Sequence, residues 1–355
     1  MKILVGFSGG VDSAYTVHLL KSAGYDVECA ILVMHEFTEL DMAQNLALEL
    51  GVKLHTVDCS ERFSKIVKEN FTSEYMRGRT PNPCIICNEQ VKFKCLYDYA
   101  IKNGFDRIAT GHYARLYKVT DSGYEPYDAL RGYDSEAQVR VGVAADITKD
   151  QSYMLWRVPE HILRSLVLPL AEVEKLTIKE NAVRLSPSLS GKRESQEICF
   201  IKEGSYADYI EAKCGKSPEG DFVDTEGNKL GRHSGIIRYT VGQRKGLGIS
   251  AGGRLFVTKI DVAKNEITLS LEDKYYSKVR ISDVILHGRD SLDNSLYCSV
   301  KLRYAAKPIV ARLDYTSGEF LLHLNTPVRA VTAGQSAVLY DNGVVIGGGI
   351  IESAE

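Results

Sequence analysis

A strand-like run, Lys2-Ile3-Leu4-Val5, leads directly into Ser8-Gly9-Gly10-Val11-Asp12-Ser13, and a helix-forming segment over Asp12 to Ala23 follows. This order constrains the chain more than any other feature. Glycines between a strand and a helix let the backbone turn tightly and bring N–H groups near an anion, and the helix N-terminus adds favourable partial charge. Ser8 and Ser13 add hydroxyl donors, and Asp12 is of the type that helps hold magnesium on bound phosphates. The loop lacks Gly-Lys-Ser/Thr, so it is not an ordinary Walker A loop. A plain strand-to-helix turn accounts for Gly9 or Gly10 but not for two flanking serines and an aspartate. The expected ligand is a nucleotide phosphate.

The pattern continues with an apolar run over Val27 to Val33, a helix over Thr38 to Leu50 and a third strand over Lys53 to Val57. Ser60 to Met76 carries Phe63, Val67, Phe71 and Tyr75 on one helical face. Another helix is expected over Glu89 to Lys102, and a strand over Arg107 to Thr110 leads into Gly111-His112. Alternation of this kind predicts an α/β fold with a doubly wound parallel sheet at the N-terminal end. Beyond a helix over Glu172 to Leu185 the pattern changes. Phe256 to Ile260 and Glu266 to Ser270 form a predicted hairpin. Short strands follow at Ser299 to Tyr304, Ile309 to Tyr315, Phe320 to Leu324, Ala337 to Tyr340 and Val344 to Ile351, the last after the turn signal Asp341-Asn342-Gly343. A chain of 355 residues is too long for one ordinary domain. The expected division is an ATP-binding domain over 1–200, a small mixed central domain over 201–278 and a C-terminal all-β barrel over 279–355.

No run of about 18 apolar residues is present, so no membrane span is expected. The N-terminus lacks the basic start and longer apolar core of a signal peptide, and a cytoplasmic location follows. In a reducing compartment, eight cysteines in a chain this long fit no disulfide framework. The pair Cys84-Ile85-Ile86-Cys87 then points to redox, sulfur or metal chemistry. It sits in Thr80-Pro81-Asn82-Pro83-Cys84-Ile85-Ile86-Cys87-Asn88, where two prolines suggest a stiff loop rather than helix. A helix follows Cys87, which predicts a thiol near a helix N-terminus with a lowered pKa. Cys199, between Ile198 and Phe200, reads by itself as a core residue. The net charge of −2 gives no global sign of nucleic-acid binding. Yet no acidic residue stands between Glu226 and Asp261, a stretch containing Lys229, Arg232, Arg238, Arg244, Lys245, Arg254 and Lys259. Such a stripe either neutralises phosphates or is a solvated face whose acids lie elsewhere.

The Ser-Gly-Gly-x-Asp-Ser loop resembles that of the ATP pyrophosphatase superfamily, whose members cleave ATP between its α and β phosphates and pass AMP to a substrate oxygen. Five further motifs occur in order. They are Asn82-Pro83 through Cys87-Asn88, Ala109 through Arg115, Lys149-Asp150-Gln151-Ser152-Tyr153, Glu194 through Ile201, and Gly231-Arg232-His233 with Tyr239 through Gly248. With the loop they resemble the bacterial tRNA-specific 2-thiouridylases over nearly the whole chain. The resemblance implies ATP binding, with Mg2+, at Gly6, Phe7, Ser8, Gly9, Gly10, Val11, Asp12, Ser13, Leu32 and Gly111. It implies that Cys87 is the nucleophile and Cys199 the persulfide carrier. Asn82, Pro83 and Cys84 would then touch the target base. His112, Lys149, Asp150, Gln151, Arg303, Tyr304 and Gln335 would contact tRNA. The implied partners are tRNA and a persulfide-donating sulfur carrier or cysteine desulfurase.

Two departures bear on the mechanism. The segment between the second strand and Gly51 is shorter than the family pattern. Cys84 stands where well-known members carry aspartate. Cys84, Cys87 and Cys199 together also resemble thiolation enzymes in which three cysteines hold an iron–sulfur cluster with one open iron. An ATP pyrophosphatase-type ligase acting on a small molecule needs neither the cysteines nor the basic stripe. A non-catalytic RNA-binding module leaves Ser8 to Ser13 unexplained.

Overall fold

The computed structural model describes residues 1–355 except 190–197, 250–252, 290 and 293–294. The motif residues Glu194 to Glu197 therefore lie outside the described residues. In chain order the N-terminal elements are β1 (Lys2–Gly6), α1 (Val11–Ser22), β2 (Asp26–Val33), α2 (Leu40–Glu49), β3 (Leu54–Asp58), α3 (Ser60–Phe63), α4 (Glu69–Met76), α5 (Pro83–Cys87), α6 (Phe93–Lys102) and β4 (Arg107–Thr110). Next come β5 (Arg115–Thr120), β6 (Gly123–Pro126), β7 (Val139–Gly142), α7 (Ser152–Leu155), α8 (Glu160–Leu163), β8 (Leu166–Val167), α9 (Lys175–Leu185) and α10 (Tyr206–Cys214). The remainder is strand: β9 (Gly220–Val223), β10 (Lys229–His233), β11 (Phe256–Asp261), β12 (Glu266–Ser270), β13 (Tyr275–Leu286), β14 (Leu296–Lys301), β15 (Ile309–Thr316), β16 (Glu319–Arg329), β17 (Ser336–Asp341) and β18 (Val344–Ala354). The chain forms two compact units.

The first unit comprises Met1–Val67, Cys84–Phe200 and Asp341–Ile346. Its centre is a parallel five-stranded sheet in the order β3-β2-β1-β4-β8. Ile3, Leu4 and Val5 are all fully buried, as expected of a parallel strand covered on both faces. Ala14, Val17 and Leu20 of α1 and Ala43, Leu46 and Ala47 of α2 pack with Ile3, Val5 and Ile31. The strand order runs outward from β1 through β2 to β3, then resumes with β4 on the other side of β1. That reversal opens a crevice beyond the C-terminal ends of β1 and β4, where ligands bind in open α/β sheets. Antiparallel pairing of β5 with β6 and β7 was not expected from the sequence.

Two expected helices are interrupted. Ser64–Lys68 is a π-turn between α3 and α4, and Asn88–Lys92 is a π-turn between α5 and α6. The stiff loop expected around the two prolines also differs, because α5 begins at Pro83 itself. Proline fits the first helical position, where its missing N–H has no partner to lose and its φ is already helical.

The second unit comprises Lys68–Pro83, Ile201–Tyr340 and Gly347–Glu355. The predicted hairpin β11–β12 joins a sheet in the order β10-β9-β12-β11. The C-terminal strands close a six-stranded antiparallel barrel, β13-β16-β15-β14-β17-β18, completed by pairing of β18 with β13. β13 is absent from the sequence expectation. Its Ser277, Lys278, Arg280 and Ser282 mask an alternation in which Val279 and Ile281 are buried. Its register with β18 also breaks between Ser282 and Ile285, where Asp283 takes a positive φ of 48°.

Candidate active site

The glycine loop occupies the crevice between β1 and β4. Gly9 has a φ of +72°, a conformation that favours glycine, and a Cβ there would stand a tight 3.3 Å from Ala43 Cα. Gly10 precedes α1 with extended backbone, and no side chain caps the helix. Ser13 Oγ donates to Gly10 O at 3.0 Å, and the Ser8 and Ser13 hydroxyls lie 3.4 Å apart. Phe7 N donates to Ala30 O at 2.8 Å, tying the loop to β2. Leu32 is buried near the end of β2, and Gly6 ends β1. A Cβ on Gly111 would stand 2.9 Å from the Asp12 carbonyl carbon, so Gly111 lies directly on the start of α1. Gly6, Gly9, Gly10, Val11, Leu32 and Gly111 are thereby gathered at one edge of the sheet.

Asp12 is engaged within the protein. Lys175 Nζ donates to its two carboxylate oxygens at 2.6 and 2.7 Å, and Tyr113 OH donates to Oδ1 at 2.5 Å. The metal-ligand role expected for Asp12 therefore meets a carboxylate already paired with an ammonium. Neither Lys175 nor the Tyr113 hydroxyl was singled out from the sequence. Lys175 opens a helix that the sequence did predict, but nothing local marks it as facing a residue 163 positions away.

The thiols stand at the same edge. Cys87 Sγ contacts Met34 Sδ at 3.8 Å, and Met34 immediately follows β2. Asn88 Nδ2 donates to Met154 O at 2.9 Å and Arg157 Nε to Glu89 Oε2 at 2.8 Å, which fixes the helical run carrying Cys87. The lowered pKa expected for this thiol is reversed. Burial pushes Cys87 up to about 11, Lys92 opposes this, and the neighbouring Cys199 and Cys84 add to the rise. The reason is positional: α5 already starts at Pro83, so Cys87 is enclosed within a helical run instead of capping one. Cys199 is exposed, contrary to its reading as a core residue. Its neighbour Phe200 takes the buried place, packing edge-on against Phe63 at 5.6 Å. Cys84 is exposed too. Among the described residues no three His, Cys, Asp or Glu side chains are arranged to hold a metal ion.

Several residues expected to touch tRNA have internal partners. His112 Nδ1 shares a hydrogen bond with Thr110 Oγ1 at 2.9 Å and its ring lies against Phe93. Burial, with Lys92 nearby, keeps it well below the usual histidine range and hence neutral. Asp150 is buried, accepting from Ala144 N at 3.2 Å, Ser152 N at 3.1 Å and Ser152 Oγ at 2.8 Å. Gln151 Oε1 accepts from Tyr113 N at 2.9 Å. Gln151 thus braces the segment carrying Gly111 to Tyr113, while Asp150 ties Ala144 to Ser152, beside the half-buried Lys149.

In the second unit, Gln335 Nε2 donates to Thr80 O at 2.8 Å and to Pro81 O at 3.3 Å, holding the strand of chain that leads to Asn82 and Pro83. A cavity of about 570 Å3 is lined there by Thr80, Tyr206, Thr240, Gln243, Arg303 and Gln335, among others. Arg303 and Tyr304 are exposed. The basic stripe divides in two. Lys229 pairs with Asp221 at 2.7 Å, Arg232 with Glu219 at 3.6 Å, Arg238 with Glu211 at 2.6 Å, and Lys259 with Asp261 at 3.0 Å. Arg244, Lys245 and Arg254 are exposed and make no ion pair among the described residues.

A glycine loop at the switch point of a parallel sheet, with thiols along the same edge, defines a nucleotide-binding α/β domain equipped for sulfur chemistry. Residues 1–203 match the tRNA methyl transferase HUP domain, 207–271 the tRNA methyl transferase PRC-barrel domain, and 276–351 the aminomethyltransferase β-barrel domain. The chain is 36% identical to the tRNA-specific 2-thiouridylase MnmA 1 of Clostridium tetani, covering 100% of this chain and 97% of that protein. It is 38% identical to the tRNA-specific 2-thiouridylase MnmA of Clostridium beijerinckii and 37% to that of Acetivibrio thermocellus, each over 99% of both chains. The chain belongs to the family of tRNA-specific 2-thiouridylases. Among the described residues no helix is long and apolar enough to cross a membrane.

Proposed function

We propose that this protein is a cytoplasmic tRNA 2-thiouridylase that adenylates the C2 oxygen of the wobble uridine with ATP and replaces it with sulfur. The observation that carries this reading is the placement of the phosphate loop and of Cys87 along the C-terminal edge of one sheet. The N–H groups at the start of α1 and the hydroxyls of Ser8 and Ser13 hold the phosphates, with Mg2+ as their counter-ion. The uridine oxygen attacks the α-phosphorus and pyrophosphate leaves, so that a poor leaving group becomes AMP. The terminal sulfur of a persulfide on exposed Cys199, loaded by a sulfur carrier or cysteine desulfurase, attacks C2 and AMP departs with the oxygen. Cys87 then attacks the Cys199 sulfur. The new Cys87–Cys199 disulfide leaves the terminal sulfur on C2, and a thiol reductant restores both cysteines. The uridine must leave its stack to reach these groups. Residues 201–278 and 279–355 serve to hold the RNA, supported by the exposed Arg244, Lys245, Arg254 and Arg303.

The test is mass analysis of nucleosides after incubation with unmodified tRNA, ATP and a persulfide donor. 2-Thiouridine forming with equimolar AMP is expected. AMP formation that ignores tRNA would instead favour a small-molecule ligase.

A further inference from the structure

We infer that Lys175 is a positioning residue for ATP, with Asp12 as its counter-ion and not a metal ligand. The inference rests on the reading of Gly6 to Ser13 as an ATP site. Both Asp12 oxygens accept from Lys175 Nζ, at 2.6 and 2.7 Å, and Oδ1 accepts a third hydrogen bond from Tyr113 OH. The lysine side chain is 8% exposed and the aspartate side chain 32%. A buried ammonium needs a charge partner, and removing one member of such a pair leaves the other uncompensated.

The geometry on either side is fixed. Lys175 is the first residue of α9, and its backbone N donates to Asp146 Oδ2 at 3.2 Å. Tyr113, Tyr15, Leu170 and Ile178 form an apolar cluster that includes the Tyr113 ring, over which Lys175 Nζ stands at 5.3 Å. Asp12 lies in the first turn of α1, where the helix presents N–H groups to an anion. A free carboxylate there repels a triphosphate. Joined to Lys175 the pair is neutral, and the helix end keeps its attraction for phosphate. A divalent ion on Asp12 would have to share Oδ2 with the ammonium and stand beside that second cation, which like-charge repulsion opposes.

Calorimetric titration with ATP, over a range of Mg2+ concentrations and without tRNA, tests this on wild type, Lys175→Met, Lys175→Arg and Asp12→Asn/Lys175→Met. Thermal unfolding is followed in parallel. Lys175→Met should weaken ATP binding by about tenfold or more, because it exposes the triphosphate to an uncompensated carboxylate. Lys175→Arg should recover most of the affinity. So should the double variant, since it has no carboxylate to compensate. Its Mg2+ concentration for half-maximal ATP binding should stay within about twofold of wild type. Wild-type affinity in Lys175→Met overturns the inference. So does a double variant as weak as the single one, or one whose Mg2+ requirement rises about tenfold. Should Lys175→Met not fold, the double variant decides alone: ATP affinity and Mg2+ requirement near those of wild type support the inference, and a roughly tenfold loss in affinity or rise in Mg2+ requirement overturns it. A wild type that fails to bind ATP removes the reading of the loop itself, a distinguishable result.

Discussion

The two compact units handle polar groups in opposite ways. In the first, the groups at the sheet edge are enclosed and answered within the protein: Asp12 by Lys175 and Tyr113, Asp150 by Ser152 and Ala144, His112 by Thr110. In the second, the basic residues stand at the surface, some paired with acids and some not. Enclosed groups interact strongly because water cannot screen them, whereas exposed charges act over a Debye length and add in small increments. Substitutions of groups that act at the sheet edge of the first unit should therefore give near all-or-none losses, and those of exposed surface residues graded ones.

The largest effect is expected at the thiols. Cys87→Ser and Cys199→Ser should each lower 2-thiouridine formation more than about a thousandfold while tRNA affinity holds. Nucleoside mass analysis beside a binding assay checks both halves, and substantial product from either variant breaks the assignment of that cysteine. Next comes the acid–base behaviour of Cys87. Its buried thiol titrates only near about 11, so across neutral pH the thiolate fraction rises tenfold per unit. Alkylation of Cys87 in the tRNA-free enzyme should accelerate about a hundredfold from pH 7 to pH 9, read by peptide mass spectrometry. A flat profile would mean that the thiol is already ionised at neutral pH.

The second unit offers the graded cases. Replacing Arg244 and Lys245 together by alanine should weaken tRNA binding about tenfold and lower the salt slope by one to two units, roughly one per lost phosphate contact. Replacing the acid-paired Lys229 and Arg232 instead should change affinity by about twofold or less, because surface ion pairs contribute little and those cations are already answered. Equal slopes for the two double variants would erase the division of the stripe. The smallest effect returns to the first unit, at exposed Cys84. Cys84→Asp should keep thiolation within about twofold of wild type, as surface substitutions generally do. Activity and stoichiometric bound iron lost together in that variant would instead make Cys84 a cluster ligand.

Local order was legible in the letters. The strand over Arg107 to Thr110 was read with its observed ends, and the loop, the parallel sheet and the hairpin β11–β12 stand where periodicity and glycines placed them. β13 escaped because its alternation is broken by a bulge and crowded with polar residues. The cysteine-bearing turn was misread because two prolines suggest a loop equally well when one of them starts a helix.

What the sequence by itself determined is the alternation of the parallel-sheet elements, the hairpin β11–β12 and the place of the phosphate loop, since strand period, helix period and glycine turns depend on neighbours a few residues apart. What only the tertiary structure decided is the state of the groups. Asp12 meets a lysine 163 positions away, Cys87 is buried while Cys199 is exposed, and Arg238 is answered by Asp208 and Glu211 from an earlier helix. Burial and charge pairing are set by residues remote in the chain, and they decide which of two chemically identical side chains is a reactive group and which is a brace.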